Sequence, residues 1–211
     1  MKIALFGVNG MIGQSIAQEA LSRGHEVTAI VRDPSRLSLT HPHLTAVAGD
    51  VLDPASVART VSGHDVVVSA IGPGASQQPQ VVVDAARSLL AGLPHTGVQR
   101  LIVVGGAGSL EVAPGVQLVD APDFPEGWRP VALAHRDALQ VYHSSNLDWT
   151  YISPAAFIAP GERTGGYRTG TDQLVTDENG ESRISTEDYA VALVNEIENP
   201  QFIRRRFTVA Y

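Results

Sequence analysis

Gly7, Gly10 and Gly13 stand at spacing G-x-x-G-x-x-G, between a short apolar run and a helical pattern. Glycines so placed suit the binding of a diphosphate. Gly7 permits a tight exit from a strand. Gly10 lets the backbone come close to phosphates, and Gly13 lets the following helix pack close to the sheet. The first N–H groups of a helix lack partners within it and, with the helix dipole, face an anion. A triphosphate loop of the form G-x-x-x-x-G-K-[ST] is absent: Gly13 is followed by Gln14 and Ser15, with no lysine for the terminal phosphates. An ordinary strand-to-helix turn can carry the same triplet. Its place straight after a first strand shifts the reading toward a dinucleotide.

Two further positions carry charge where a dinucleotide would need it. The second apolar run, Glu26 to Val31, ends at Arg32, with Arg36 four residues on. An acidic residue at the end of this strand would bind both ribose hydroxyls and repel a 2′-phosphate, whereas a guanidinium favours the phosphate. Arg32 therefore points to NADP over NAD. The alternatives are a solvated arginine after a strand, and a ribose contact from the neighbouring Asp33. Asp50 ends a third run, Leu44 to Ala48, where ligands bind in such sheets, and its carboxylate could accept from an adenine amino group. Asp53 is better placed than Asp50 to cap the helix that starts at Pro54.

The elements that would hold these residues alternate. Lys2 to Phe6 is a buried strand, and Ile12, Ile16, Ala17, Ala20 and Leu21 recur at helical spacing after it. Strands follow near 26–31, 44–48, 65–71, 101–104 and 149–152, with helices near 81–90 and 131–145 between them. This order predicts an α/β fold, a Rossmann-type doubly wound parallel sheet with right-handed crossovers. From Phe157 the chain changes character. A glycine-rich stretch from Gly161 to Gly170 holds Arg163 and Arg168, a turn falls at Asp177 to Gly180, and Ser185 and Asp188 start a helix at capping-box spacing. Arg204 to Arg206 reads as a solvated loop before a last strand. The expectation is one domain over 1–211, a Rossmann core of about 1–155 and a small C-terminal substrate lobe of about 156–211 over the sheet's C-terminal edge.

Composition narrows the function classes. The 211 residues carry a net charge of −7, which argues against nucleic acid or an anionic membrane surface as partner. There are no cysteines, so disulfides, thiolate catalysis and zinc–thiolate sites are all excluded. No apolar stretch is long enough to span a bilayer. The chain enters its first strand at once, with no room for a cleavable leader, and the expected location is the cytoplasm.

With these residues in view the chain resembles the atypical short-chain dehydrogenase/reductases, most closely the NmrA-like group associated with NADH-flavin reductases. The resemblance rests on the glycine turn, Arg32-Asp33-Pro34, Gly49-Asp50, Val103 to Gly108, Leu147 to Ala155, Gly161 to Gly165 and Ile184 to Ala190. It implies NADP lying along Gly7, Asn9, Gly10, Met11 and Ile12, with Arg32, Asp50 and Val51 at the adenosine end. The strand ends Ala70, Ile71, Gly72, Val104 and Gly105 would complete the cofactor strip.

The departure from that family concerns the proton donor. Typical members carry a serine after the fifth strand and a Tyr-x-x-x-Lys pair on the next helix. Here the serine position falls near Gly106-Ala107, and counting back from Thr150 puts Val131 at the tyrosine and His135 at the lysine position. Ser109 lies close to the serine position without occupying it. The candidate catalytic residues are therefore His135 and Ser109, with no metal ligand; for His135 the alternative is a partly buried helix histidine. Reducing an ordinary ketone makes a strongly basic alkoxide and needs a positioned acid. A flavin or quinone gives a delocalised anion that water can protonate, so ring positioning supplies most of the catalysis. The sequence thus predicts an NADPH-dependent reductase of a planar conjugated small molecule, with flavin as a substrate. The second hypothesis is an NADP-binding redox sensor without turnover. An epimerase or dehydratase fits less well, since both need proton transfer from carbon or oxygen. The oligomeric state is left open.

Overall fold

A computed structural model describes residues 1–74 and 78–211. In chain order the elements are β1 (Lys2–Phe6), α1 (Met11–Ser22), β2 (Glu26–Val31), β3 (Leu44–Ala48), α2 (Pro54–Val61), β4 (Val66–Ser69), α3 (Gln80–Gly92) and β5 (Arg100–Val104). Then come β6 (Glu111–Ala113), β7 (Val116–Gln117), α4 (Arg129–His143), β8 (Asp148–Ser153), β9 (Phe157–Ala159), β10 (Arg168–Gly170), β11 (Arg183–Ser185), α5 (Thr186–Glu198) and β12 (Arg205–Ala210).

The main sheet has eight strands in the order β10-β12-β8-β5-β4-β1-β2-β3, parallel except for the antiparallel edge pair β10–β12. Strand order reverses between β1 and β4. This is the point at which open α/β sheets bind ligands, beyond the carboxyl ends of the strands. The Rossmann-type fold expected from the alternating pattern is the fold observed.

Both faces of the sheet's centre are covered, so β1, β4 and β5 are buried and apolar in both directions, whereas the edge strands β3 and β10 are largely exposed. Ile3 and Leu5 of β1 face a core shared with Ile16 and Ala20 of α1 and with Tyr189, Leu193 and Val194 of α5. Ala4 and Phe6 face the opposite core, with Val57 of α2, Leu89 of α3 and Ala138 and Tyr142 of α4. Alternate residues of one strand thus enter different cores, as the two-residue period of a strand requires.

Local signals set the helix starts. Asp53 accepts a hydrogen bond from Ala55 N at 3.0 Å and caps α2, with Pro54 at the first helical position. Ser185 accepts from Asp188 N at 2.9 Å and caps α5.

Beyond Phe157 the chain divides. β12 pairs in parallel with β8, and α5 packs on α1, so both belong to the central layers. β9 and β11 form a separate parallel pair just after the end of β8. The turn at Asp177 closes with Gly180 N donating to Asp177 O at 3.0 Å, but its arms do not pair as a hairpin: β11 joins β9, while Gln173 bridges to Glu111.

Arg206 corrects the expectation of a solvated arginine triplet. Its side chain is only 10% exposed, because Asp172 receives Nη2 at 2.6 Å and Nε at 3.0 Å.

Candidate functional site

The candidate site follows the carboxyl ends of β3, β2, β1, β4 and β5, which are neighbours in the sheet. Its centre is the glycine turn between β1 and α1. Gly7 has φ +85°, and a Cβ there would sit 2.2 Å from Ala70 O at the end of β4. A Cβ on Gly13 would lie 2.1 Å from Gly7 O. These two glycines let β1, β4 and α1 crowd together.

Gly10 is different. Its φ is −81°, an ordinary value, and its Cβ would meet nothing nearer than Gly7 O at 3.3 Å. The space beside Gly10 therefore opens outward, and Asn9, Gly10 and Met11 are exposed. No side chain caps α1, which leaves the N–H groups of its first turn facing that space. An open cradle at an uncapped helix start fits a diphosphate. Met11 and Ile12 begin the helix, and Ala70, Ile71 and Gly72 run past the turn from β4.

Arg32 follows β2 directly. It is exposed, and its guanidinium makes no hydrogen bond or ion pair among the described residues. Asp33 is occupied instead: Oδ1 accepts from Ser35 Oγ at 2.6 Å and Ser35 N at 3.1 Å, and these bonds hold its carboxyl below the usual carboxylate range. Asp50 accepts from Leu52 N at 2.9 Å through Oδ1, and its own N–H donates to Ser56 Oγ at 2.9 Å. The Asp50 carboxylate thus shapes the turn after β3, with Val51 half-buried beside it.

At the far end, Val104 closes β5 and Gly105 follows. A Cβ on Gly105 would fall 2.1 Å from the Tyr151 ring, and one on Gly106 would fall 2.8 Å from His135 Cβ. The two glycines admit two rings at the end of β5. Tyr151, fully buried on β8, donates from Oη to His135 O at 2.9 Å, accepts from Gly106 N at 3.2 Å and lies 3.4 Å from His135 Nδ1.

Burial pushes His135 down to about 4, so the imidazole is neutral at neutral pH. It pushes the Tyr151 phenol up, well beyond the physiological range. Neither group is ionised near pH 7.

Ser109 is turned to another task. It is buried, and its Oγ and its carbonyl oxygen accept from Arg206 Nη1 at 2.8 and 3.0 Å. This bond anchors the segment after β5 to β12, and the hydroxyl is not joined to His135. Tyr151 and Arg206 are the residues that reading the sequence missed. Tyr151 looks like an ordinary strand residue and Arg206 like a solvated loop residue until β5, β8 and β12 lie side by side, where Arg206 and Tyr151 are register partners.

The arginines of the glycine-rich stretch are likewise engaged. Arg163 pairs with Glu19, and Arg168 donates to Thr176 O at 2.8 Å and to Tyr211 O.

Fold and site define a Rossmann-type dinucleotide-binding protein. A family model described as NAD(P)H-binding matches residues 7–200. The chain belongs to this NAD(P)H-binding family. A solved structure from Burkholderia pseudomallei, provisionally described as an exported protein, is 53% identical, with all of each chain covered and a TM-score of 0.92. One from Bacteroides thetaiotaomicron, provisionally described as an epimerase, is 39% identical over 100% of this chain and 96% of its own, also with a TM-score of 0.92. SP1627 from Streptococcus pneumoniae, provisionally described as an NADH-flavin reductase, is 35% identical over 100% and 99% of the two chains, with a TM-score of 0.87. No helix among the described residues is long and apolar enough to cross a membrane.

Proposed function

We propose that this protein is an NADPH-dependent reductase that passes a hydride to a planar conjugated acceptor, a flavin or a quinone. The observation that carries the reading is the state of the two rings at the end of β5. The Tyr151 hydroxyl is already donated to a backbone carbonyl, and burial pushes the neighbouring His135 down to about 4. A carbonyl reductase would need an acid poised for release at this end of the cleft. An acceptor whose reduced anion is delocalised does not, because water can protonate it after transfer.

The bound nicotinamide would supply the hydride. The chain's own residues would bind and orient. The first turn of α1 and the open side of Gly10 would hold the diphosphate. Arg32, free of protein partners among the described residues, would take a 2′-phosphate, while Asp33, held by Ser35, would leave a ribose hydroxyl alone. This favours NADP over NAD. Ala70 to Gly72 and Val104 to Gly105 would flank the nicotinamide end.

Incubation with NADPH and FMN, riboflavin or a quinone, followed by nicotinamide absorbance, tests the reading. Catalytic loss of absorbance with one of these is expected. Tight NADPH binding with no turnover of any of them would favour the second reading, a sensor that uses cofactor occupancy to alter a partner contact. Turnover of simple ketones at comparable rates would overturn the absence of an acid.

A further inference from the structure

Three groups surround the one hydroxyl proton of Tyr151. His135 O, at 2.9 Å, can only accept. Gly106 N, at 3.2 Å, can only donate. His135 Nδ1, at 3.4 Å, can do either. The proton goes to the carbonyl, which is nearest and has nothing to offer in return. The remaining Tyr151 lone pairs then face Gly106 N–H and Nδ1. A bare Nδ1 would set two lone pairs against each other inside the protein, so Nδ1 must carry its hydrogen. A neutral imidazole has one ring hydrogen, and Nε2 is left as an acceptor. Among the described residues Nε2 has no protein partner, and His135 as a whole is half-buried. Gly106 fixes the ring's place, since any Cβ there would collide with it.

We propose that His135 is a specificity-determining residue, held by Tyr151 as the Nδ1–H tautomer, whose Nε2 accepts a hydrogen bond from an N–H of the hydride acceptor. The inference rests on the proposed reductase function and narrows its substrate to a flavin, whose ring system carries an imide N–H, over a quinone that offers no donor. A ring lacking that donor would leave Nε2 desolvated and unpaired, and discrimination of this kind comes from the unpaired group.

Two measurements test it. The first is nitrogen–proton correlation NMR of the histidine rings, with the His135 signals identified by their loss in His135→Gln. The neutral Nδ1–H tautomer is expected at pH 7, with the bias lost in Tyr151→Phe. An Nε2–H or charged ring in the wild type would overturn the proposal whether or not the protein reduces flavin. The second is binding of riboflavin and 3-methylriboflavin, followed by flavin fluorescence with NADP+ bound. Riboflavin should bind about threefold to tenfold more tightly, as for one neutral hydrogen bond. The ratio should fall to about one in His135→Phe and recover in part in His135→Gln, whose amide oxygen can accept. Equal affinities in the wild type would overturn the selectivity. Selective binding without hydride transfer would instead leave this inference standing and remove the reductase reading.

Discussion

Arg163 grips Glu19 with two hydrogen bonds, Nε to Oε2 at 2.7 Å and Nη2 to Oε1 at 2.8 Å, across 144 positions of sequence. Glu19 is 5% exposed and also accepts from Arg23 Nε at 2.7 Å. The carboxylate lies on α1, the helix whose start faces the candidate diphosphate position. Asp188 of α5 accepts from Thr164 Oγ1 at 2.5 Å and from Gly165 N at 2.7 Å. The glycine-rich stretch is thus a strap across α1 and α5.

Glu19→Gln should therefore cost about 1–3 kcal/mol of stability, limited because Arg163 is half in solvent. At this chain length the expected fall in Tm is roughly 3–10 °C. The hydrogen bonds from Arg163, opposed by burial, hold the Glu19 carboxyl below its usual 4.5. Its stabilisation is present above the unfolded value and is lost as pH falls through the lower folded value. Thermal melts between pH 3 and 6 check this. The variant should lose part of the wild type's acid sensitivity, and an unchanged Tm at pH 7 would mean that the strap is dispensable.

Arg32→Ala should lower NADPH affinity and leave NADH affinity nearly unchanged. A charge-assisted bond to a 2′-phosphate is worth roughly 1.5–3 kcal/mol, or about tenfold to 150-fold in affinity. Titration of both cofactors against both proteins decides it. A wild type that prefers NADH, or a preference that survives the substitution, would remove Arg32 from the site.

Gly10 and Gly13 of the turn should behave differently on substitution. Gly10→Val is expected to abolish cofactor binding in a folded protein, because its φ suits other residues and its side chain would fill the open cradle. Gly13→Ala places a methyl 2.1 Å from Gly7 O, and should damage the fold itself. Circular dichroism and NADPH titration of the two variants separate the effects. A folded Gly10→Val that still binds NADPH would move the diphosphate elsewhere.

His135→Ala should lower kcat with flavin by less than about tenfold, since a lost hydrogen bond weakens placement while water still supplies the proton. A loss of about 10²–10⁴ at unchanged NADPH affinity would make the imidazole an essential acid. A stability signature accompanies the ring. Its folded value of about 4 lies below the unfolded 6.5, so the unfolded chain binds the proton first. Stability is whole above about pH 6.5 and declines as pH falls toward 4, by at most about 3 kcal/mol and less because His135 as a whole is half-buried. His135→Gln should flatten that slope relative to the wild type in denaturant titrations.

The chain's own sequence determined the layers of the fold, because their causes are local. Strands buried on both faces must be apolar throughout, α1 must repeat at helical spacing, and Asp53 and Ser185 cap helices through residues two and three positions away. The same locality placed Gly7, Gly10, Gly13 and Arg32 at one edge, since each sits where a strand stops. What the three glycines do there was only partly legible: all can approach a backbone closely, but Gly7 is crowded by Ala70 and Gly13 by the Gly7 carbonyl, and of the three only Gly10 has open space beside it. The state of the rings at the end of β5 was decided by tertiary structure. Tyr151 meets His135 across 16 positions and Gly106 across 45, and Arg206 reaches Ser109 across 97. Spacing along the chain holds no trace of such contacts. They exist because parallel strands bring distant residues into register, and because a buried polar group is costly to leave without a partner.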